Sequence, residues 1–318
     1  MRTMRAVLFV LALAPSLLRA QDGPGTAGAG VLQLMAGSRA PALSGAYTAM
    51  AGDADVLFYN PAGIAALRAG ASVAYQRYVE DIGLFSGAGA ARAGRVVLGA
   101  SLLVLDYGTI AEIVPDPDFG GQTGTPTGNR VGASELAARV SAGMPLLDDR
   151  LRLGVSAGVV RVELAGGARV APLFDAGAQL QLPHVTLGAA LRNLGTKLSG
   201  RGLADAPLPR ELRLGASAAL PATGRLGALV AADFVAALEE GTSGFVAGIE
   251  AGLLPSEASP LGAVVRVGYD GAVGDGGIGA VRAGGGLSAG AFSLDYTYQN
   301  FDPFGAVHRF GVRWAIHP

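Results

Sequence analysis

The sequence contains no cysteine, one lysine (Lys197) and few charged residues of either sign. Without cysteine the chain has no disulfide, no thiolate metal site, no cysteine nucleophile and no acylated cysteine anchor. Charged residues make up 15% of the chain, whereas an average soluble domain has about 25%. The formal net charge of −1 also argues against the strongly basic surface that binds nucleic acids.

Long apolar runs are missing as well. After the first twenty residues, no stretch approaches the ~20 consecutive apolar residues that a membrane-spanning helix needs. Half of the chain is nevertheless hydrophobic, the mean hydropathy is +0.40, and 50 glycines interrupt the apolar segments. Two explanations remain open on composition: an Ala/Gly-rich soluble protein, or a closed β-barrel, which also satisfies every backbone group in lipid.

The N-terminus has the three parts of a secretory signal. Arg2 and Arg5 precede the apolar run 6–13, and the segment ends at the small residue Ala20. We therefore expect residues 1–20 to be a signal peptide that is cleaved near Ala20. The alternative is an N-terminal membrane anchor, for which the apolar run is short.

Much of the remaining chain alternates between apolar and small or polar residues, as strands with two different faces do. The pattern recurs in about fourteen segments, near 71–79, 82–92, 95–107, 130–143, 150–164, 173–182, 184–193, 210–220, 225–237, 244–253, 261–269, 277–287, 290–299 and 307–316. Segments of this length and even number are typical of bacterial outer-membrane barrels. A soluble β-sandwich is the alternative, but its outer face would be rich in lysine and glutamate.

The connections between these segments also alternate in length. The longest gaps, 108–129 and 194–209, both follow odd-numbered segments, whereas 93–94 and 221–224 follow even-numbered ones; the gap 254–260 is an exception. Outer-membrane barrels have short periplasmic turns and longer outer loops. The sequence therefore predicts an all-β fold: an antiparallel transmembrane β-barrel of about fourteen strands over residues 70–318, in the bacterial outer membrane.

The last predicted strand carries its apolar side chains on one face. These are Phe310, Val312, Trp314 and Ile316. The barrel-assembly machinery reads an aromatic residue near the C-terminus of many such barrels. Because this chain ends with Pro318, we expect Trp314 and Phe310 to serve that role.

Residues 21–69 do not alternate, and we interpret them as a partly helical hatch. Residues 44–50 have a composition suited to a helix, Asp53 suits a helix N-cap, and Asn60-Pro61 marks a turn. The segment either packs at the barrel mouth or folds inside the barrel as a plug.

Several charged residues lie on the polar faces of the predicted strands. They are Arg152, Arg192, Glu211, Arg213, Glu250, Arg266, Asp295 and Arg313. A charge facing lipid at mid-depth costs several kcal/mol, so we expect these side chains to face the lumen. There they pair with one another or with the hatch, or alternatively they line a polar path.

Residue patterns for catalysis or for cofactor binding are lacking. The three histidines, His184, His308 and His317, have no second histidine or carboxylate at ligand spacing. Asp116 and Asp118 have a spacing that could suit a Ca²⁺ loop, but we prefer the simpler interpretation of a solvated outer loop. We therefore expect neither an enzyme nor a metal or cofactor site.

Four motifs occur in the order found in one family of outer-membrane proteins. The first runs from Gly37-Ser38-Arg39 through Asp53-Ala54-Asp55 to Asn60-Pro61-Ala62-Gly63. The others are 187–195, ending in Asn-Leu-Gly; 207–215, beginning Pro-Leu-Pro; and the C-terminal hairpin around 292–298 and 308–310. Together they resemble the PorV/PorQ family, which is related to the FadL-type barrels. The resemblance covers most of the chain after residue 20 and implies a fourteen-stranded barrel with an N-terminal hatch.

The resemblance implies two functions. As a PorV-like protein, the chain handles cargo proteins with C-terminal signal domains, together with components of a type IX secretion system. As a FadL-like channel, it takes up hydrophobic small molecules, and the hatch motif (Asp53, Asp55, Asn60, Pro61, Ala62 and Gly63) contains the gate. An apolar pocket beside the hatch would then be lined by Phe58, Tyr59, Ile64 and Leu67, and the alternative is a packed hatch without a cavity. In both cases the barrel contacts outer-membrane lipid.

Overall fold

Fourteen strands form most of the molecule, as the alternating pattern predicts. The computed structural model describes residues 27–78, 82–120, 123–200, 205–256, 259–271, 280–300 and 305–317. The predicted signal peptide 1–20 and its cleavage site therefore lie outside the described residues, as do the first positions of the predicted strand 277–287. Among the described residues, no helix has the length and apolarity needed to cross a bilayer.

The strands are antiparallel and follow one another around the sheet. They are β1 Ala69–Arg77, β2 Gly83–Ala93, β3 Val96–Pro115, β4 Gly124–Leu146, β5 Leu151–Leu164, β6 Gly167–Gln181, β7 Thr186–Leu194, β8 Glu211–Thr223, β9 Leu226–Ala237, β10 Thr242–Leu253, β11 Leu261–Asp270, β12 Val281–Ala289, β13 Phe292–Asn300 and β14 Ala306–Ile316.

The first and last strands pair with each other and close the sheet into a barrel. In this seam Val73 lies opposite Val312, and Ala71 lies opposite Trp314. Closure leaves no free edge along the paired length, which a strand in lipid requires. The fourteen-stranded barrel is thus confirmed, and the sandwich alternative is wrong because a single sheet closes on itself.

One predicted loop is wrong. Most of the gap 108–129 is a continuation of β3 and β4, which reach Pro115 and begin at Gly124. Thr109, Ile110 and Ala111 pair with residues 130–132 after a register shift beyond Asp106. Glycine and threonine obscured the alternation there, and the shift changed its phase. The connection between β7 and β8, 195–210, is longer and contains only isolated bridges among its described residues.

Large apolar side chains cover the outside of the barrel. Leu98, Val140, Val265 and Phe310 are 54%, 66%, 67% and 59% exposed, although they lie in regular strands. Such a surface is unfavourable in water and suits contact with acyl chains. The barrel therefore presents its apolar faces to lipid. We call the end of the barrel that carries the longer connections the outer end, and the opposite end the inner end.

The hatch fills the lumen. Short 3₁₀ helices Ala40–Leu43, Ala54–Phe58 and Pro61–Ala66 alternate with turns, and nearly all residues from 36 to 50 are buried. The predicted helix over residues 44–50 is wrong: the helical turn ends at Leu43, and Ser44 and Gly45 adopt positive φ angles of 52° and 75°. A left-handed pair ends a helix and reverses the chain.

Glycines on the inner wall let the hatch approach the strands closely. At each of them an added Cβ would lie within about 3.0 Å of a hatch atom; they are Gly99, Gly143, Gly154, Gly177, Gly188, Gly215, Gly248, Gly268, Gly284 and Gly311. We call this set the glycine belt. It occupies ten of the fourteen strands. The hatch is consequently packed against the wall around most of the circumference.

Candidate functional site

The side chain of Asn60 joins the hatch to β6 and β7. Its Oδ1 accepts a hydrogen bond from Ala62 N at 3.1 Å and so caps the helix Pro61–Ala66. Its Nδ2 donates to Thr48 O at 2.7 Å, to Ala178 O at 3.1 Å and to Ala189 O at 3.3 Å. The hatch motif thus provides an anchor between two hatch turns and the wall.

Asp55 holds two hatch turns together. Its Oδ2 accepts hydrogen bonds from Ser38 N at 2.7 Å, Ser38 Oγ at 3.2 Å and Arg39 N at 3.3 Å. Burial, with the nearby charge of Asp53, raises the pKa of Asp55 above its ordinary value, although Arg313 acts in the opposite direction. This carboxyl group therefore serves the hatch fold rather than a solvent-filled path.

Six charged side chains form a neutral cluster between the hatch and the wall. They are Arg39 and Asp53 of the hatch, with Glu250, Arg266, Asp295 and Arg313 of β10, β11, β13 and β14. We call them the ion cluster. Asp53 precedes the helix Ala54–Phe58 but makes no side-chain cap bond, since its carboxylate contacts Arg39 and Arg313 of the cluster.

The distances within the ion cluster are those of direct ion pairs. Asp295 accepts from Arg266 Nη1 at 2.7 Å and from Arg313 Nε at 2.5 Å, and it is fully buried. Arg39 Nη2 lies 2.8 Å from Glu250 Oε1, which joins the hatch to β10. Truncating one partner of such a pair leaves an uncompensated buried charge and is strongly destabilising.

A second polar group ties the hatch to β8 and β9. Arg213 Nη2 donates to Gly45 O at 2.7 Å, and its Nη1 lies 3.1 Å from Glu211 Oε1. Asp233 Oδ2 accepts from Tyr47 N and from Thr48 N, each at 3.0 Å. Both strands therefore bind hatch backbone directly.

The eight predicted lumen charges all lie on the inner face, in different surroundings. Four belong to the ion cluster, and Arg192 joins Glu211 and Arg213 through a 2.7 Å contact with Glu211. Arg152 is separate and donates from Nη2 to Gln181 Oε1 at 2.5 Å.

Sequence reasoning missed several inward charges with structural contacts. They are Arg39, Glu135, Arg139, Asp175, Asp233, Asp270, Arg282 and Arg309. Most lie on the polar face of an alternating strand, so the rarity of charges in these strands was a usable signal. Arg39 lies in the hatch, where no alternation indicates a face.

A cavity of about 370 Å³ lies between the hatch and the outer half of the wall. We call it the outer chamber. Its apolar lining comes from hatch and strands: Leu32, Leu34, Met35, Ala36, Phe58, Leu103, Val235 and Val246. Tyr59 also lines it, and the guanidinium groups of Arg192 and Arg213 lie 5.8 and 5.6 Å from its ring centroid.

The predicted apolar pocket is divided by the structure. Phe58 and Tyr59 line the outer chamber, whereas Ile64 and Leu67 are fully buried and do not line it. Ile64 packs against Gly143 of the glycine belt, and Leu67 packs against Gly70 at the start of β1. Both point away from the chamber because they lie nearer to the inner end of the hatch.

A second cavity, of about 420 Å³, lies at the inner end. We call it the inner chamber. The hatch contributes Met50, Gly52 and Ala66 to its lining, and the wall contributes Arg152 and His184. The two chambers thus lie on opposite sides of the hatch.

Two other predicted features have simple structural roles. Asp116 caps the helical turn Pro117–Phe119 through a 3.0 Å bond from Asp118 N. Within the described ranges, no group of three carboxylates or histidines is arranged to hold a metal ion.

On the last strand, Phe310, Val312 and Ile316 are exposed on the outer face at 59%, 44% and 39%, and Trp314 shares that face.

Comparison with solved structures identifies the class of the fold. The chain is similar to the monoaromatic hydrocarbon channel CymD, at 13% identity over 89% of this chain and 98% of that chain, with a TM-score of 0.57. It is also similar to the Ralstonia pickettii toluene transporter TbuX (15%, 89% and 98%, TM-score 0.53) and to a Pseudomonas aeruginosa FadL homologue (12%, 88% and 98%, TM-score 0.50). The chain thus has the fold of the FadL-type outer-membrane barrels.

At these identities the likeness concerns the fold alone. No protein-family model and no curated protein matches the sequence.

Proposed function

We propose that this chain is an outer-membrane channel for the uptake of hydrophobic small molecules, and that it reaches the membrane after residues 1–20 are removed. The observation that carries the proposal is the outer chamber. Its lining combines apolar hatch and strand residues with charged ones, it lies toward the end with the longer connections, and its volume is in the range of about 300–1,000 Å³ that is usual for ligand pockets.

The plugged barrel supports selective uptake rather than diffusion of hydrophilic solutes through a water-filled pore. The glycine belt leaves the hatch in contact with most strands, and the chambers are separated by buried hatch residues. A molecule that crosses must therefore displace part of the hatch between Thr48 and Ala66. We propose Asn60-Pro61-Ala62 as the moving element, because two hydrogen bonds from the side chain of Asn60 join it to β6 and β7.

The structural neighbours support the same choice. Two of them are a toluene transporter and a monoaromatic hydrocarbon channel, and we extend that substrate class to this chain as part of the proposal. The role is non-enzymatic: the groups on the hatch and wall bind one another, and the chamber binds the solute by burying apolar surface.

Filling the outer chamber tests the proposal. Val235 lines it, so Val235→Trp removes space from the binding volume, whereas Val230 lies on the lipid-facing side of the same strand and is 37% exposed. In a host that lacks its own channels of this class, we expect uptake of a labelled monoaromatic hydrocarbon to fall at least tenfold with Val235→Trp and to stay unchanged with Val230→Trp. Equal uptake by both variants would contradict a role for the chamber.

Secretion of the PorV type is the second candidate, and the four ordered motifs of the sequence favour it. In that role the outer loops bind cargo C-terminal domains, and the hatch need not move. Deletion of the chain in its own cell, followed by surface proteomics and an uptake assay, separates the two. Lost display of cargo with normal hydrocarbon uptake would reject the channel, and the reverse result would reject secretion.

A further inference from the structure

The arginines that line the outer chamber already have carboxylate partners. Arg192 Nη1 lies 2.7 Å from Glu211, and Arg213 contacts Glu211 at 3.1 Å and Asp233 at 3.4 Å. Arg210 pairs with Glu239. Within the described part of the lining, no guanidinium group is thus left to receive a carboxylate ligand without breaking an existing pair.

The lining carries one carboxylate more than these pairs need. Three lining arginines, Arg192, Arg210 and Arg213, face four lining carboxylates, Glu211, Glu239, Glu240 and Asp270. Their neighbours Arg282, which pairs with Asp270 at 3.0 Å, and Asp233 add one charge of each sign. Counted with these ion-pair partners, the charged side chains that line the chamber therefore carry a net charge of one negative unit.

The surplus charge resides at Glu240. Among the described residues, its carboxylate accepts one hydrogen bond, from Gln33 Nε2 at 3.0 Å, and forms no ion pair. It is half-buried at the outer end of the hatch, where an entering molecule first meets the chamber. A second carboxylate brought to this place would lose hydration and would be repelled, because each arginine of the lining is already paired with a carboxylate.

From this arrangement we infer that the outer chamber takes uncharged hydrophobic ligands and rejects carboxylates of the same shape, and that Glu240 is the residue that sets this selectivity. The inference rests on the proposed function and narrows its substrate class. The chamber volume of about 370 Å³ exceeds the roughly 150 Å³ cavity that admits a benzene ring. A substituted single ring therefore fits, and charge decides among ligands of that size.

Ligands of equal size and different charge test the inference. Fluorine NMR would measure the binding of para-fluorotoluene and para-fluorobenzoate to the mature chain in lipid nanodiscs at neutral pH, with empty nanodiscs to subtract partitioning into lipid. We expect the benzoate to bind at least about tenfold more weakly, because the repulsion between two carboxylates a few ångströms apart near a protein surface is of that order. Glu240→Gln keeps an acceptor for Gln33, so it should strengthen benzoate binding several-fold and leave fluorotoluene binding unchanged.

The matched control is Glu163→Gln. Glu163 is an exposed carboxylate that pairs with Arg161 on β5 and does not line the chamber, so this variant should change neither affinity. Benzoate binding as tight as that of fluorotoluene would overturn the inference, as would an unchanged ratio in Glu240→Gln. Tighter binding of para-fluorobenzylammonium than of fluorotoluene would also overturn it, in favour of a cationic ligand. Binding of none of the three would instead reject the channel itself.

Discussion

Replacing Gly177 with alanine separates steric fit from the other interactions that hold the hatch in the barrel. Gly177 lies on the inner face of β6, where an added Cβ would overlap Asn60 Oδ1 and lie 3.0 Å from Asn60 Cγ and 3.2 Å from Pro61 Cδ. The Asn60 side chain has no free direction to move, because it is fixed by bonds to Thr48, Ala62 and two strands.

The size of the effect follows from two contributions. Overpacking by one methyl group in a well-packed core costs about 1–3 kcal/mol. If Asn60 swings away, two or more buried hydrogen bonds are lost at about 0.5–1.5 kcal/mol each. Together we expect the seated hatch to lose about 2–6 kcal/mol relative to a displaced one. Since about 1.4 kcal/mol corresponds to a factor of ten, the displaced population rises at least tenfold.

The assay uses the mature chain refolded into lipid vesicles. Barrel integrity is followed by the gel mobility of the unheated protein, and hatch displacement by protease cleavage within residues 27–68 and by bilayer conductance. Gly89→Ala is the control, because its added Cβ meets nothing closer than 3.8 Å. We expect faster cleavage and higher conductance for Gly177→Ala alone, with both barrels intact.

A double-mutant cycle identifies the cause. Asn60→Ala removes the overlapping oxygen, so Gly177→Ala should cost about 1–3 kcal/mol less in that background than in the native chain. If the two substitutions are additive, or if Gly177→Ala is indistinguishable from Gly89→Ala, the steric reasoning is wrong.

Two further predictions concern the ion cluster and the lipid-facing side. Asp295→Asn removes the shared partner of Arg266 and Arg313, so we expect the free energy of unfolding in urea to fall by about 3–5 kcal/mol. The double variant Asp295→Asn/Arg313→Met should recover part of this loss. If it recovers none, charge pairing is not the cause. Val312→Arg places a charge on the outer face of β14 and should lower the free energy of unfolding in vesicles by about 2–4 kcal/mol. Normal folding yield and stability would contradict the lipid-facing assignment.

The strands were predictable because lipid and lumen impose opposite demands on neighbouring residues. Segment 307–316 shows this well: Phe310 and Val312 are exposed to lipid, and Arg309 is buried inside. Where that contrast disappears, prediction failed. The outer parts of β3 and β4 extend past the neighbouring strands, so both of their faces are solvated and glycine and threonine leave no two-residue period.

The hatch was predictable as an element but not in its conformation. Its helices are single turns whose ends depend on wall contacts, as with Asn60, which caps one helix while it binds Ala178 and Ala189. The chamber was only partly predictable for the same reason. Phe58 and Ile64 are both apolar hatch residues, and only the fold decides that one faces the chamber and the other faces Gly143.

The abundance of glycine and the scarcity of charge have one physical origin in this molecule. A water-filled barrel needs polar side chains along its inner face, whereas a barrel filled by its own chain needs space there. The glycine belt provides that space, and the few inward charges form pairs that orient the hatch, as Arg39 and Glu250 do at 2.8 Å. Because close contacts occur on most strands at once, sliding the whole hatch along the barrel would break them together. We therefore expect opening to proceed through a local change near Asn60, which breaks its two hydrogen bonds to β6 and β7 and leaves the rest of the hatch in place.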